Sequence, residues 1–292
     1  MTQAQSIPVF KKEAGRKAFM DAYDRLMLEW PIAYETFEIP TDYGDCHVIA
    51  SGPADGKPIV LFHGMTGNSA MWYPTMEALQ TYRTYSVDAP GDFGKSTVSR
   101  LMKSPEDAAR WIDQLLDALG LETTILLGHS MGGWFSANYA LSRPERVERL
   151  MLLAPVATFL PPPLSKLMKY IYPALLIPSR KLIKRGWDWF CSAGYTLPQP
   201  VMEVVYAGYK HGKLKLGVIP GVIPKERWKS LTAPVLFIVG DEEKIYDAAQ
   251  VTRVVRESIP QAETHIVERA GHCLTVERKE QVNALVGKFL SS

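Results

Sequence analysis

Apolar residues recur at helical spacing across Glu13–Trp30, where Phe19, Tyr23, Leu26, Met27 and Trp30 are separated by charged positions. The pattern predicts an amphipathic helix, stopped by Pro31, that covers a sheet edge. Tyr34–Ile39 and Cys46–Ala50 read as two strands joined by a turn at Asp42–Asp45, an antiparallel hairpin. From Pro58 the rhythm changes to strands alternating with helices. Ile59–Phe62 is wholly apolar, as expected of a strand buried on both faces, and a helix is expected from Asn68 or Ser69. Tyr82–Val87 is the next strand. Ser104–Leu119 reads as a helix, with Ser104 as N-cap, Pro105 in the first turn, Asp107 three residues after the cap and Gly120 as its stop. A short strand at Ile125–Leu127, a helix to about Ser142 and a strand at Val147–Leu153 follow. Strands linked in this way form a parallel sheet with helices on both faces.

The alternation breaks at Pro155. Residues 156–230 contain Pro161-Pro162-Pro163, further prolines, and helical patches dense in Tyr, Trp and Phe. The alternation resumes with the strand Val235–Val239, the helix Ala248–Ser258, the strand Glu263–Val267 and the helix Glu280–Leu290. The expected organisation is therefore an α/β core in two parts, 1–155 and 231–292, with a helical cap inserted at 156–230 over the catalytic edge.

Composition narrows the picture in three ways. The 292 residues carry a net charge of only +2, which gives no general reason to expect nucleic-acid binding. That charge is unevenly spread: the inserted segment holds twelve Lys/Arg against three Asp/Glu, or +9, and the remainder is −7. The three cysteines, Cys46, Cys191 and Cys273, are far apart and show neither a disulfide framework nor zinc spacing, as in a reducing compartment. MTQAQSIPVFKK lacks the layout of a secretory signal, and no apolar run is long enough for a membrane span. A cytoplasmic location without stable membrane insertion is expected; the oligomeric state is not encoded in any pattern here.

The chemistry centres on Gly128-His129-Ser130-Met131-Gly132, a G-x-S-x-G motif between a strand and a helix. In that context Ser130 sits on a strained turn with its hydroxyl above the sheet. Side chains two positions either side would strike neighbouring backbone, which explains Gly128 and Gly132. The helix that begins there aims its first amides at the same spot, suiting a developing negative charge. A serine hydroxyl is a weak nucleophile at neutral pH and needs a base, and the base needs a carboxylate. With this motif the three follow in the order Ser, acid, His. His272, in Ala270-Gly271-His272-Cys273 after the last strand, is the best-placed base of six histidines. The acid belongs in the loop after Val235–Val239, where Asp241, Glu242, Glu243 and Asp247 all compete. Two backbone N–H donors are needed for the oxyanion: that of Met131, after the serine, and that of Met65, in the loop following Ile59–Phe62. Both methionine side chains are expected to line the acyl pocket. His63 and His129 are expected to brace loops, and Cys273 to be a small core residue. His47, His211 and His265 are isolated, without metal-ligand spacing.

From about residue 34 onward the chain resembles the α/β-hydrolase superfamily, with His63-Gly64, the Asp88–Ser96 loop DAPGDFGKS, GHSMGG and AGH in the family's order. Leu28–Pro31, HVIASGP at His47–Pro53, MWYP at Met71–Pro74, YRTYSVD at Tyr82–Asp88 and IYD at Ile245–Asp247 resemble the Bacillus carboxylesterase NP group. The resemblance implies an α/β-hydrolase fold, with a mostly parallel eight-stranded sheet flanked by helices and a helical cap. It implies hydrolysis of carboxylic esters, bulky arylpropionate esters among them, without a cofactor. The family places its acid three residues after the strand-ending glycine, which here is Glu243, with Asp241 in reserve. Ala154-Pro155 leaves no acid at the alternative strand end before the cap. Dehalogenases and epoxide hydrolases of this fold need an aspartate where Ser130 stands.

The expectation is a serine carboxylesterase acting on a small-molecule ester through Ser130, Glu243 and His272. The same triad serves lactone, thioester or carbon–carbon bond hydrolysis, which the sequence does not separate. A non-catalytic, hydrolase-like binding protein is the other alternative, weighed down by the presence of all three roles. The basic segment could attract anionic lipid or acidic substrates, against the plainer reading of a solvated helix face.

Overall fold

A computed structural model describes residues 6–292; the first five residues of the MTQAQSIPVFKK stretch lie outside it. The first helix, α1 (Glu13–Met27), ends one turn before Pro31. Strands β1 (Tyr34–Thr41) and β2 (Gly44–Ser51) pair antiparallel around a tight turn, with Thr41 opposite Gly44. They are longer than the apolar runs alone suggested, because paired backbone extends into the polar residues flanking the turn. Strand β3 (Pro58–Phe62) is followed by a 3₁₀ helix at Ser69–Leu79 rather than an α-helix. Pro74 lies inside it, and a proline cannot donate the i→i−4 bond of an α-helix. Strand β4 (Arg83–Val87) leads to α2 (Pro105–Ala118), whose N-cap Ser104 accepts a hydrogen bond from Asp107 N at 3.1 Å. Gly120 follows the helix with φ 68°, a left-handed stop that favours glycine.

Strand β5 (Thr124–His129), α3 (Met131–Ser142) and β6 (Val147–Leu153) carry the chain to the inserted segment. That segment forms α4 (Leu164–Tyr170), α5 (Tyr172–Leu176), α6 (Arg180–Phe190) and α7 (Gln199–His211), then a 3₁₀ turn at Lys225–Ser230. Strand β7 (Val235–Gly240), α8 (Ala248–Ser258), β8 (Glu263–Val267), the single turn α9 (Leu274–Glu277) and α10 (Lys279–Ser291) complete the described chain.

The eight strands form one sheet in the order β1-β2-β4-β3-β5-β6-β7-β8. Only the β1–β2 and β2–β4 pairings are antiparallel; the rest are parallel. Central strands β5 and β7 are apolar and buried almost throughout, since helices cover both faces. Edge strands β1 and β8 are mostly exposed or half-buried. One apolar cluster gathers Trp111, Phe135 and Tyr139 on one side of the sheet; the other gathers Phe19, Tyr23, Trp72 and Leu274. The eight-stranded, mostly parallel α/β sheet flanked by helices is the architecture the sequence pattern and resemblance imply.

The first helix departs from expectation. Rather than covering a sheet edge, α1 packs chiefly on α7 of the inserted segment and on the 3₁₀ helix after β3. Periodicity marks the apolar face of a helix but not what it meets.

Candidate active site

The parallel strands β3, β5 and β7 all point their carboxyl ends at one edge of the sheet, the usual place for a site in such a fold. Ser130 follows β5 with φ 54° and ψ −116°, a conformation that costs roughly 1–3 kcal/mol in a residue other than glycine. The turn is held from three sides. Ser130 N donates to Leu153 O at 2.9 Å, and Ser130 O accepts from Trp134 N and Val156 N. A Cβ on Gly128 would lie 2.3 Å from Gly132 O, and one on Gly132 only 1.9 Å from Phe62 O. The two glycines thus let the elbow seat itself against β3.

The structure brings His272 to Ser130 across the strand ends. Ser130 Oγ lies 2.8 Å from His272 Nε2, and His272 Nδ1 lies 2.8 Å from Glu243 Oε2. A carboxylate only accepts, so Nδ1 carries the imidazole proton and Nε2 is left to accept from the Ser130 hydroxyl. The imidazole sits between the Phe190 and His129 rings, 5.1 and 5.0 Å away between centroids. Its backbone N donates to Phe190 O at 2.6 Å.

The four carboxylates of the loop after β7 have separate placements. Glu243 is buried; its Oε1 accepts from Lys244 N and Ile245 N at 2.8 and 2.9 Å, which leaves Oε2 for the histidine. Asp241 is exposed and accepts from Ala270 N. Glu242 accepts from Ala193 N, and Asp247 caps α8 through Gln250 N. Neither Asp241, the reserve candidate, nor the other two is bonded to His272.

The two candidate oxyanion amides share one feature, the lack of a backbone acceptor among the described residues. Met131 is the first residue of α3, so its N–H has no acceptor within the helix. Among the described residues, Met65 N also has no hydrogen-bond acceptor. The loop that carries Met65 is braced by His63, whose Nδ1 donates to Gly64 O and whose Nε2 accepts from Ala89 N. A further brace is Asp92, which accepts from Thr66 N through both oxygens and from Phe93 N. Burial pushes its carboxyl up to about 6.

His129 donates from Nε2 to His272 O at 2.8 Å, tying the elbow to the histidine loop. Burial, and then the neighbouring His272, press its pKa down to about 3, so it stays neutral. Cys273 is buried beside Cys191, and that neighbouring thiol, then burial, push its own thiol well up, away from nucleophilic thiolate. Glu277 completes a buried group with these two cysteines, their donor atoms within 4.8 Å of one another. Its oxygens accept from Ser192 N and Gly271 N, so this carboxylate is a brace between the inserted segment and the histidine loop. Sequence reasoning did not single out Asp92, Glu277 or Phe190. Asp92 lay inside the quoted DAPGDFGKS stretch, but its partner is 26 residues away and no local pattern marks the pair.

Above Ser130 and His272 lies a cavity of about 330 Å³ with largely apolar walls. Met65 and Met131 both line it, with Met71 on the core side and Trp187, Leu197 and Val201 from the inserted segment.

A family model described as the alpha/beta hydrolase fold matches residues 57–176. Carboxylesterase YbfK of Bacillus subtilis is 35% identical over 95% of this chain and 95% of its own. The crystal structure of naproxen esterase (carboxylesterase NP) from Bacillus subtilis aligns with a TM-score of 0.89 at 31% identity, covering 94% of this chain and 98% of that one. That of carboxylesterase CesB (YbfK), also from Bacillus subtilis, gives 0.86 at 35% identity, covering 96% and 99%. With a likeness that runs through both halves of the sheet and the helices between them, this chain belongs to the α/β-hydrolase family, beside the Bacillus carboxylesterases.

Proposed function

We propose that this protein is a cofactor-independent serine carboxylesterase, working through Ser130, His272 and Glu243. The observation that carries the reading is the unbroken hydrogen-bond line from Glu243 Oε2 through His272 to Ser130 Oγ, opening into an apolar cavity. The near full-length similarity to proteins named carboxylesterase supports the reaction class. Ser130 Oγ attacks the ester carbonyl as its proton passes to His272 Nε2. Glu243 balances the imidazolium and keeps Nδ1 protonated. The Met65 and Met131 amides hold the oxyanion; removing one such donor typically lowers turnover about 10²- to 10³-fold. The tetrahedral intermediate collapses, the alcohol leaves with the proton from Nε2, and an acyl-Ser130 remains. Water attacks it by the reverse sequence, its proton taken by His272, and the acid departs.

In this reading residues 156–230 are a cap, and the walls it adds to the cavity select small-molecule esters with bulky apolar groups. Three free, buried cysteines fit a cytoplasmic setting. The test is Ser130→Ala. Hydrolysis of p-nitrophenyl esters and labelling by a fluorophosphonate probe should both vanish while the thermal unfolding transition persists. Unchanged turnover would refute the assignment.

A further inference from the structure

The large apolar side chains that this protein leaves in solvent are concentrated in the inserted segment. Leu164 is 67% exposed, Leu176 79%, Ile177 66% and Ile219 86%, with Met168 and Tyr172 also exposed. Leu164 and Met168 stand one turn apart on α4, and Tyr172 and Leu176 one turn apart on α5, so each helix turns an apolar row outward. Leu164, Tyr172 and Ile219 are at the same time part of the cavity wall. The exposed apolar surface therefore rims the mouth of the candidate active site.

Charge is concentrated on the same segment, +9 against −7 for the rest of the chain. On its helices Arg180 is paired with Glu203 and Lys184 with Asp188. Lys166, Lys169, Lys181 and Arg185 are exposed and form no ion pair among the described residues. A merely solvated helix face would not need Leu or Ile at its most exposed positions. A second copy of this chain on the same face would set positive charge against positive charge. An anionic lipid surface meets both features: apolar side chains enter the headgroup boundary, and unpaired cations face lipid phosphates.

We propose that α4 and α5, with the basic residues around them, dock peripherally on an anionic lipid surface and hold the cavity mouth against it. An apolar ester dissolved in the bilayer then passes into the cavity without first entering water. Among the described residues no helix is long and apolar enough to cross a membrane, and none is required. Docking does not depend on the esterase reading, and its primary readout, sedimentation with vesicles, needs no catalysis.

The experiment is co-sedimentation of the full chain with vesicles of phosphatidylglycerol and phosphatidylcholine, or of phosphatidylcholine alone. Binding is expected to the first only, and to fall as salt shortens the screening length from about 8 Å to about 3 Å. Each basic side chain near such a surface strengthens binding roughly fivefold, so Lys166→Glu with Lys169→Glu should weaken it at least about thirtyfold. Leu176→Ser with Ile177→Ser removes apolar surface and should weaken it about tenfold or more. None of these four residues lines the cavity, so both variants should hydrolyse a short, water-soluble p-nitrophenyl ester as the parent does, which also reports folding. Equal binding to both vesicle types, or binding indifferent to the substitutions, would overturn the proposal. So would a concentration-dependent dimer that Leu176→Ser with Ile177→Ser dissociates, since the face would then belong to a second copy.

Discussion

Replacing Glu243 by glutamine changes almost nothing in shape and should nearly abolish activity. Oε1 of Glu243 accepts from the Lys244 and Ile245 amides, while Oε2 accepts from His272 Nδ1. A glutamine here must keep its carbonyl oxygen where Oε1 was, because an NH₂ group would face two N–H donors in a buried site. Its NH₂ group then faces Nδ1, which must become an acceptor. The imidazole proton moves to Nε2, and Nε2 donates to Ser130 instead of taking its proton. Loss of the correct tautomer is worth a factor of about 10⁴ in kcat, or about 5 kcal/mol of transition-state stabilisation. By contrast Asp241 accepts only from Ala270 N, and Asp241→Asn should stay within about tenfold of the parent. The assay is kcat/KM for a p-nitrophenyl ester, with burst kinetics to separate acylation from release. A Glu243→Gln variant within tenfold of the parent, or Asp241→Asn as damaged as Glu243→Gln, would refute the argument.

Two further predictions concern stability. Gly132→Ala would put a methyl carbon 1.9 Å from Phe62 O; β3 and the elbow must move apart, and the melting temperature should drop by well over 10 °C or the protein should fail to fold. A melting temperature within a few degrees of the parent would refute the proposed contact. The pH dependence is set by opposing buried groups. His129, held at about 3 against an ordinary 6.5, leaves the unfolded chain with the extra proton between those values, so its contribution to stability is lost as pH falls through that window. Asp92, raised from 3.8 to about 6, gives the folded chain the extra proton, so its contribution falls as pH rises through that window. Between about pH 4 and 6 the two cancel. In urea titrations, His129→Asn should lower the slope of stability against pH there by about 1.4 kcal/mol per pH unit, and Asp92→Asn should raise it by as much. Parallel slopes for all three proteins would refute the burial argument.

Features that rest on local sterics and local periodicity were legible in the chain itself. Gly128 and Gly132 mark the elbow because a side chain at either place strikes backbone within the same strand–turn–helix unit or on the neighbouring strand. Ser104, Pro105 and Gly120 mark both ends of α2, since caps are made by residues adjacent in sequence. The runs at 59–62 and 235–239 mark central strands, because only a strand covered on both faces is apolar throughout. What depends on distant partners was not legible. Four carboxylates follow β7, and periodicity gave no reason to prefer one. Family resemblance pointed to Glu243, and the fold orients it toward His272 while turning its second oxygen to two amides. The face of α1 was readable but not α7 beneath it, because an amphipathic pattern records that a surface is covered and not by what. Likewise Asp92 under the Met65 loop and Glu277 under the histidine loop are buried charges whose partners are assembled only when the chain closes. The sequence alone determined the strained turn and the order of the elements; tertiary structure decided which carboxylate meets the imidazole and what walls the cavity, because those contacts join residues far apart along the chain.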